Sequence, residues 1–442
     1  MTVAREVALD VTDRVRDDDA YSNLILPNAI RDARLSSRDA GHATDLTYGA
    51  LRWRRLLDAV LDDCVNGSID RVDPDVRDLL RLATYELVVR GEPPHIINEW
   101  VNQANRRFRR AAGFVNATLR AVSRRTPEEW SVKVTENATE VHALAVSYSH
   151  PDWIVGEYIE LVGTDEIRDL LSANNEPPVP TLIALPGLST RPDGVKHTEY
   201  SPYGFQSKGG SLSDVAGIAD GVVRVQDEGS QLAVLVLTQA FPIQPNERWL
   251  DLCAGPGGKT ALLAALTKLD GVSLEANEVL PHRAELVRRS LAPFCESITV
   301  SVRDGRELCA ESPNAFDRIL VDAPCTGLGS LRRRPEARWR KLPDDLVELV
   351  PLQRELLSAA IGRLTVGGVV AYVTCSPLAA ETTEVVAAAL AEHPEAETVD
   401  TGTVLSNVAR SIRDAERGRA VQLYPHRHHT DAMFIQLIRR TR

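Results

Sequence analysis

The sequence predicts a multidomain protein with an all-α front, a small α+β subdomain and an α/β domain built on a mostly parallel sheet. Three observations carry this prediction. Apolar residues recur at helical spacing up to about residue 145, a Pro/Gly/Ser-rich section follows, and from Arg248 short apolar strands alternate with helical patterns. With 442 residues, 43% of them hydrophobic, the chain is long enough for two or three separately cored domains. The expected boundaries are 1–145, 146–235 and 236–442.

In the first domain, "AREVALDVTDRV", "ATDLTYGALRWRRLLDAVLDDCV", "DPDVRDLLRLATYELVVRG" and "IINEWVNQANRRFRRAAGFVNATLRAVSRR" all read as amphipathic helices. The second opens on a helical pattern, "PDWIVGEYIELVG", and continues through "PPVPTLIALPGLSTRPDG" to a short strand in "GVVRVQD". In the third, the strands are "RWLDLCA", "GVSLEANE", "SITVSVRD", "FDRILVDAP" and "GGVVAYVTC". Strands separated by helices imply right-handed βαβ units and a parallel sheet covered on both faces. Ligands of such sheets sit at the carboxyl ends of the strands. Cys253, Glu278, Asp304, Asp322 and Cys375 close these five strands, so they are expected on one rim.

Composition narrows the function. The first residues, "MTVAREVALD", carry charge where a secretory signal needs an apolar run, and no stretch has the length of a membrane span. A cytoplasmic protein without membrane contact is expected. Six cysteines lack CxxC or Cys/His metal spacing, so they are expected to be reduced thiols with no metal among them. A net charge of −11 argues against indiscriminate nucleic-acid binding, yet the arginines are unevenly placed. Arg106, Arg107, Arg109 and Arg110 lie in an acid-free stretch, and Arg332, Arg333 and Arg334 follow a candidate site directly. Such a run is most often a solvated helix face; two acid-poor clusters favour phosphate contacts.

The loop "DLCAGPGGKT" joins a strand to a helix start. It is not a Walker A loop, because the first glycine of GxxxxGK would fall on Cys253, and it is not GxGxxG. Residues Cys253, Ala254, Gly255, Pro256, Gly257, Gly258 and Lys259 instead offer close backbone approach to a ligand and a helix N-terminus. Glu278 is placed like the acid that holds a ribose diol, and Asp304 and Asp322 add acceptors. One acid at a strand end is readily explained as a helix cap. Four consecutive strands ending in such groups point to a ligand.

These motifs resemble the NOP2/Sun (Fmu) family of S-adenosyl-L-methionine-dependent RNA cytosine-5 methyltransferases, in its bacterial small-subunit rRNA methyltransferase B branch. "DLCAGPGGKT" looks like the cofactor loop and "ANEVLPHR" like the ribose-binding acid with the arginine that follows, Arg283. "VRDGR" looks like the adenine-side acid, "DAPCTGLGSLRRRPEARW" like motif IV, and "VTCSPLAAE" like motif VI. "YSNLIL", "LTYGALR", "INEWVNQA" and "GFVNATLR" resemble the NusB-like RNA-binding domain of that branch. The sequence departs from the pattern at "HHTDAMF", where His429 and Ala432 replace a glycine-containing pattern, and over residues 183–220.

The resemblance implies a NusB-like domain, an RRM-like small subdomain and a Rossmann-like methyltransferase domain. It also implies covalent catalysis on small-subunit rRNA, by an enzyme expected to be monomeric. Carbon 5 of cytosine is a weak nucleophile, so a thiolate first adds to carbon 6 and pushes electron density to carbon 5. The resemblance makes Cys375 that nucleophile, gives Cys325 the release of the methylated base, and sets Asp322 at the N3/N4 edge of the base as well as near the cofactor. Three other readings compete: a tRNA cytosine-5 methyltransferase, a DNA cytosine-5 methyltransferase with Cys325 of Pro-Cys as nucleophile, and a non-catalytic RNA-binding assembly factor. The second thiol in "TCS" argues against the DNA enzyme, and the intact thiols and loop argue against the assembly factor.

Overall fold

The computed structural model describes residues 3–18, 20–294, 298–310 and 315–442. Cys295 lies outside them. The chain forms two compact units: Met1–Glu176 with Leu331–Arg340, and Pro177–Ser330 with Lys341–Arg442.

The first unit is helical. Its helices stop where local chemistry stops them. "ATDLTYGALRWRRLLDAVLDDCV" divides at Trp53 into Ser37–Arg52 and Arg54–Cys64, with Ser36 accepting from Asp39 N at the start of the first. The long arginine-rich pattern divides into Ile96–Arg107 and Ala112–Val122. Arg106 and Arg107 thus finish one helix, where cations favour the carbonyl end, and Arg109 and Arg110 occupy the turn. A buried hub ties the helices together: Glu86 takes both Arg5 Nε and Nη2 at 2.9 Å and Trp100 Nε1 at 2.6 Å.

Residues 331–340 belong to this unit although they follow the α/β domain's candidate loop in sequence. Arg338 is fully buried and donates to Ser149 O at 2.8 Å, Asn175 Oδ1 at 2.9 Å and Asn174 O at 3.2 Å. Glu336 accepts from Ser22 N and Oγ, and Arg340 donates to Val15 O and Ala20 O. The expected boundary at 145 falls inside the helix Glu140–Ser147, and the stretch 146–235 is divided between the units. The helix Asp152–Asn175, broken at Gly163 (φ 76°), stays with the helical unit because Asn174 and Asn175 receive Arg338.

In the second unit, β1 (Thr181–Ala184), β2 (Gly204–Gln206) and β3 (Val223–Val225) form an antiparallel sheet in the order β2-β1-β3. The larger sheet begins with β4 (Arg248–Asp251), β5 (Ser273–Asn277), β6 (Thr299–Ser301), β7 (Phe316–Asp322) and β8 (Leu364–Thr374). It continues with β9 (Ala396–Thr398), β10 (Glu416–Arg417), β11 (Ala420–Gln422) and β12 (Phe434–Arg440). Among the described residues its order is β10-β11-β12-β8-β7-β4-β5-β6, with β9 on β12. β4 to β8 pair in parallel and β12 runs antiparallel to β8. β4 sits between β5 and β7, where the winding reverses, so a crevice opens at its carboxyl end. The central strand β7 carries Ile319, Leu320 and Val321 at 0% exposure, as a strand covered on both faces requires. Among the described residues, no helix is long and apolar enough to cross a membrane.

One charged pair is buried in this core. Arg318 on β7 bonds Glu247 Oε2 at 2.8 Å, donates to the carbonyls of Leu237, Thr238 and Phe241, and lies 5.0 Å from the Trp249 ring centroid. Removing one partner leaves the other charge uncompensated. Arg318→Met is therefore expected to destabilise the protein by roughly 3–5 kcal/mol, the range for broken buried pairs. Urea unfolding checks it; a loss below about 1 kcal/mol would place the pair in the class of exposed bridges.

Candidate active site

The loop after β4 starts the site. Gly255 passes so close to Glu278 that a Cβ there would lie 2.1 Å from Glu278 Oε2. Glu278 accepts from Gly255 N at 3.1 Å and from Leu280 N at 3.0 Å, while Arg283 Nη2 reaches back to Gly255 O at 2.6 Å. Acid and arginine thus clasp the glycine loop through the N–H and the carbonyl of one residue. The helix Gly258–Asp270 begins on Gly257, at φ 105°, and its first amides have no intrahelical acceptor.

Lys259 turns from that helix to Asp322 at the end of β7, with Nζ 2.8 Å from Oδ2. Burial works against its charge, but the Asp322 carboxylate wins and holds Lys259 above the usual lysine value. Cys253 is pushed well up, first by burial and then by Asp251, Asp322 and Glu278. Asp304 is held low by Arg306, which also pairs with Glu355. Asn277 links the rim by donating to Leu252 O and Arg303 O.

The two thiols meet. Cys325 Sγ lies 3.4 Å from Cys375 Sγ. The hydrogen bond between the thiols lowers Cys375 below the ordinary thiol value, with Lys259 assisting and burial and Asp322 opposing. Cys325 is raised by the same bond and by burial. Of the two thiols, Cys375 is therefore the more readily ionised.

Glu381, absent from the sequence-predicted set, holds the loops that carry these thiols. It is fully buried and accepts from Thr326 N at 2.8 Å, Thr326 Oγ1 at 2.5 Å and Gln353 Nε2 at 3.0 Å. Gln353 Nε2 also donates to Pro324 O at 2.8 Å. The residues on both sides of Cys325 are thereby fixed from the loop that carries Cys375. Gly329 N donates to Cys375 O at 2.8 Å and Ala432 N to Gly329 O at 2.8 Å, which joins the departing "HHTDAMF" segment to the same loops.

The arginines are less uniform. Arg106, Arg109 and Arg110 are exposed, but Arg107 pairs with Asp10 and Asp13. Arg334 is exposed with its guanidinium 5.5 Å from the Tyr21 ring centroid, and Arg332 and Arg333 are half-buried. Of their neighbours in sequence, Arg338 and Arg340 are internal pegs of the helical unit. Among the described residues, no group of His, Cys, Asp and Glu side chains is arranged to hold a metal ion.

A glycine loop, strand-end acids and paired thiols on this sheet, in one chain with a NusB-type helical domain, define a methyltransferase of the RNA-modifying kind. Residues 238–439 match the family described as 16S rRNA methyltransferase RsmB/F, and residues 2–124 match the NusB family. The chain belongs to the RsmB/F family. A Mycobacterium tuberculosis relative, whose name marks it as a methyltransferase without giving a substrate, is 43% identical over 99% of this chain and 96% of its own length. A Bacillus subtilis relative named as a probable ribosomal RNA small subunit methyltransferase B is 31% identical, with 99% of both chains covered. The solved structure of PH0851 has the same fold, with a TM-score of 0.81 at 23% identity and 99% of both chains covered.

Asp251 closes β4 beneath the loop. Burial lifts its carboxyl to about 7, with Thr260 and Lys259 opposing and Asp322 adding to the rise. Thr260 Oγ1 donates to Oδ2 at 2.7 Å, and Oδ1 has no partner. An unfolded aspartate ionises near pH ~4, so from about pH 4 to about 7 the folded protein keeps a proton that the unfolded chain releases. The stability this group contributes is full below that window and is lost as pH rises through it. Asp251→Asn, neutral throughout, is expected to gain in melting temperature relative to the parent as pH rises from about 4 to about 7. Thermal unfolding of both proteins across that range checks the sign; a difference that does not change with pH would show Asp251 ionised in the fold.

Proposed function

We propose that this protein methylates carbon 5 of a cytosine in small-subunit ribosomal RNA, with S-adenosyl-L-methionine as methyl donor. The observation that carries this reading is the pair of thiols 3.4 Å apart at the rim of the sheet. Membership of the RsmB/F family and the names of the relatives support the RNA substrate.

The donor would be held by the loop Cys253–Lys259, by Glu278 with Arg283 on the ribose, and by Asp304 on the adenine side; bound there, it supplies the methyl group. The chain's own residues do the rest. Cys375 thiolate adds to carbon 6, forming the sulfur–carbon bond and sending the ring electrons toward carbon 5, which takes the methyl group. Asp322, steadied by Lys259, holds the N3/N4 edge of the base, its carboxylate accepting from the N4 amino group. A base then takes the carbon 5 proton, the electrons of that C–H bond re-form the 5,6 double bond, and the sulfur–carbon bond breaks to release Cys375 as thiolate, with Cys325 assisting that release. The base must be unstacked or single-stranded to reach the thiols, and the exposed arginines of both clusters supply phosphate contacts.

The two thiols should give opposite phenotypes. Cys375→Ala should form no covalent RNA complex, even with 5-fluorocytosine RNA, and should lose methylation. Cys325→Ala should accumulate a covalent complex with ordinary cytosine RNA in the presence of cofactor. Denaturing gels with labelled small-subunit RNA decide it: the reverse pattern would exchange the roles, and no adduct in any variant would remove covalent catalysis. Neutralising Arg106, Arg107, Arg109 and Arg110 together is expected to weaken RNA binding and flatten its salt dependence, because each lost phosphate contact releases fewer counterions. An unchanged slope across a salt titration would return the cluster to an ordinary solvated surface.

A further inference from the structure

Gln226 sits just after β3 with both ends of its carboxamide idle. It is 7% exposed, and neither Nε2 nor Oε1 has a hydrogen-bond partner in the protein. Its backbone is pinned: Gln226 N donates to Thr181 O at 3.0 Å, and Gln226 O accepts from Gln231 Nε2 at 3.0 Å. A buried amide with no partner is desolvated without return, and such exceptions call for a ligand or an ordered water.

The side chain reaches toward the first residue of the helix Gly258–Asp270. Apart from that helix's own backbone and the chain neighbours, a Cβ built on Gly258 would meet only Gln226 Nε2, at 3.9 Å. The carboxamide is thus the nearest group, outside the helix itself, to the point where that helix starts. Beneath it lie the unbonded amides of a thirteen-residue helix, the end that attracts a carboxylate. A carboxamide offers one donor and one acceptor side by side. The group that satisfies both beside a helix N-terminus is a zwitterionic α-amino acid, its carboxylate on the helix amides and Nε2, its ammonium on Oε1.

We infer that Gln226 clasps the α-amino-acid end of the methyl donor, so that the site recognises the donor by its zwitterion as well as by its nucleoside. This rests on the methyl-donor reading of the same loop, and the test separates the two. Calorimetry would compare S-adenosylhomocysteine, which carries the amino-acid end, with 5′-methylthioadenosine, which lacks it. In Gln226→Met, S-adenosylhomocysteine should bind about tenfold more weakly, the loss of a hydrogen bond or two to charged groups, while 5′-methylthioadenosine binds as to the parent. Gln226→Glu, which places a carboxylate against the ligand's own, should lose more of the first and none of the second. Retained 5′-methylthioadenosine binding also shows that each variant has formed the pocket. Equal weakening of both ligands would make Gln226 a support of the loop, and no weakening of either would remove it from the site. Unchanged ligand binding with impaired capture of 5-fluorocytosine RNA would assign it to the base instead. If the parent binds neither nucleoside, the methyl-donor reading fails and this inference with it.

Discussion

Two thiols on loops from neighbouring strands stay at 3.4 Å because a buried carboxylate holds both loops. The acceptor capacity of Glu381 is taken by an amide, a hydroxyl and a carboxamide. Hydrogen bonds to an ionised acceptor are short and strong, so this one side chain can fix Pro324, Cys325 and Thr326 against the turn that carries Cys375. Its charge also matters to the chemistry. After the bond to Cys375 and burial, Glu381 is among the influences that raise the Cys325 thiol.

Around that brace the sheet distributes charge by position. β4 lies at the reversal of winding, with β5 and β7 on either side, so the groups that end these three strands share one crevice. Lys259 spans it to Asp322, and Asp251 and Cys253 beneath the loop are driven toward their neutral forms by burial. The pairing of Lys259 with Asp322 and the burial that favours the neutral forms of Asp251 and Cys253 keep down the negative charge beneath the loop.

The strands and their end residues were legible because each strand's apolar run and the group that closes it are local in sequence. The glycine loop and the "TCS" thiol were legible for the same reason. Glu381 and Gln353 were not: Glu381 closes the motif "VTCSPLAAE" as an ordinary acid, Gln353 lies on a helical stretch, and their value lies in partners 28 to 55 residues away. The helical front was read correctly in pattern, although Trp53 and Phe108 end helices that periodicity alone ran together. The arginines following Ser330 looked like one basic cluster. Only long-range contacts separate Arg338, which holds carbonyls of the helical unit, from Arg334, which remains exposed.

The return of residues 331–340 to the helical unit has a consequence for how this chain can be divided. Its two units are not consecutive lengths of gene, since the ten codons that follow the thiol loop encode part of the front domain's interior. A fragment begun at residue 177 would carry Arg338 without Ser149, Asn174 and Asn175, and the front domain made alone would lack the guanidinium that closes these three. Recombination or shuffling between relatives would have to exchange both stretches together. The two domains are therefore bound to be inherited as one piece.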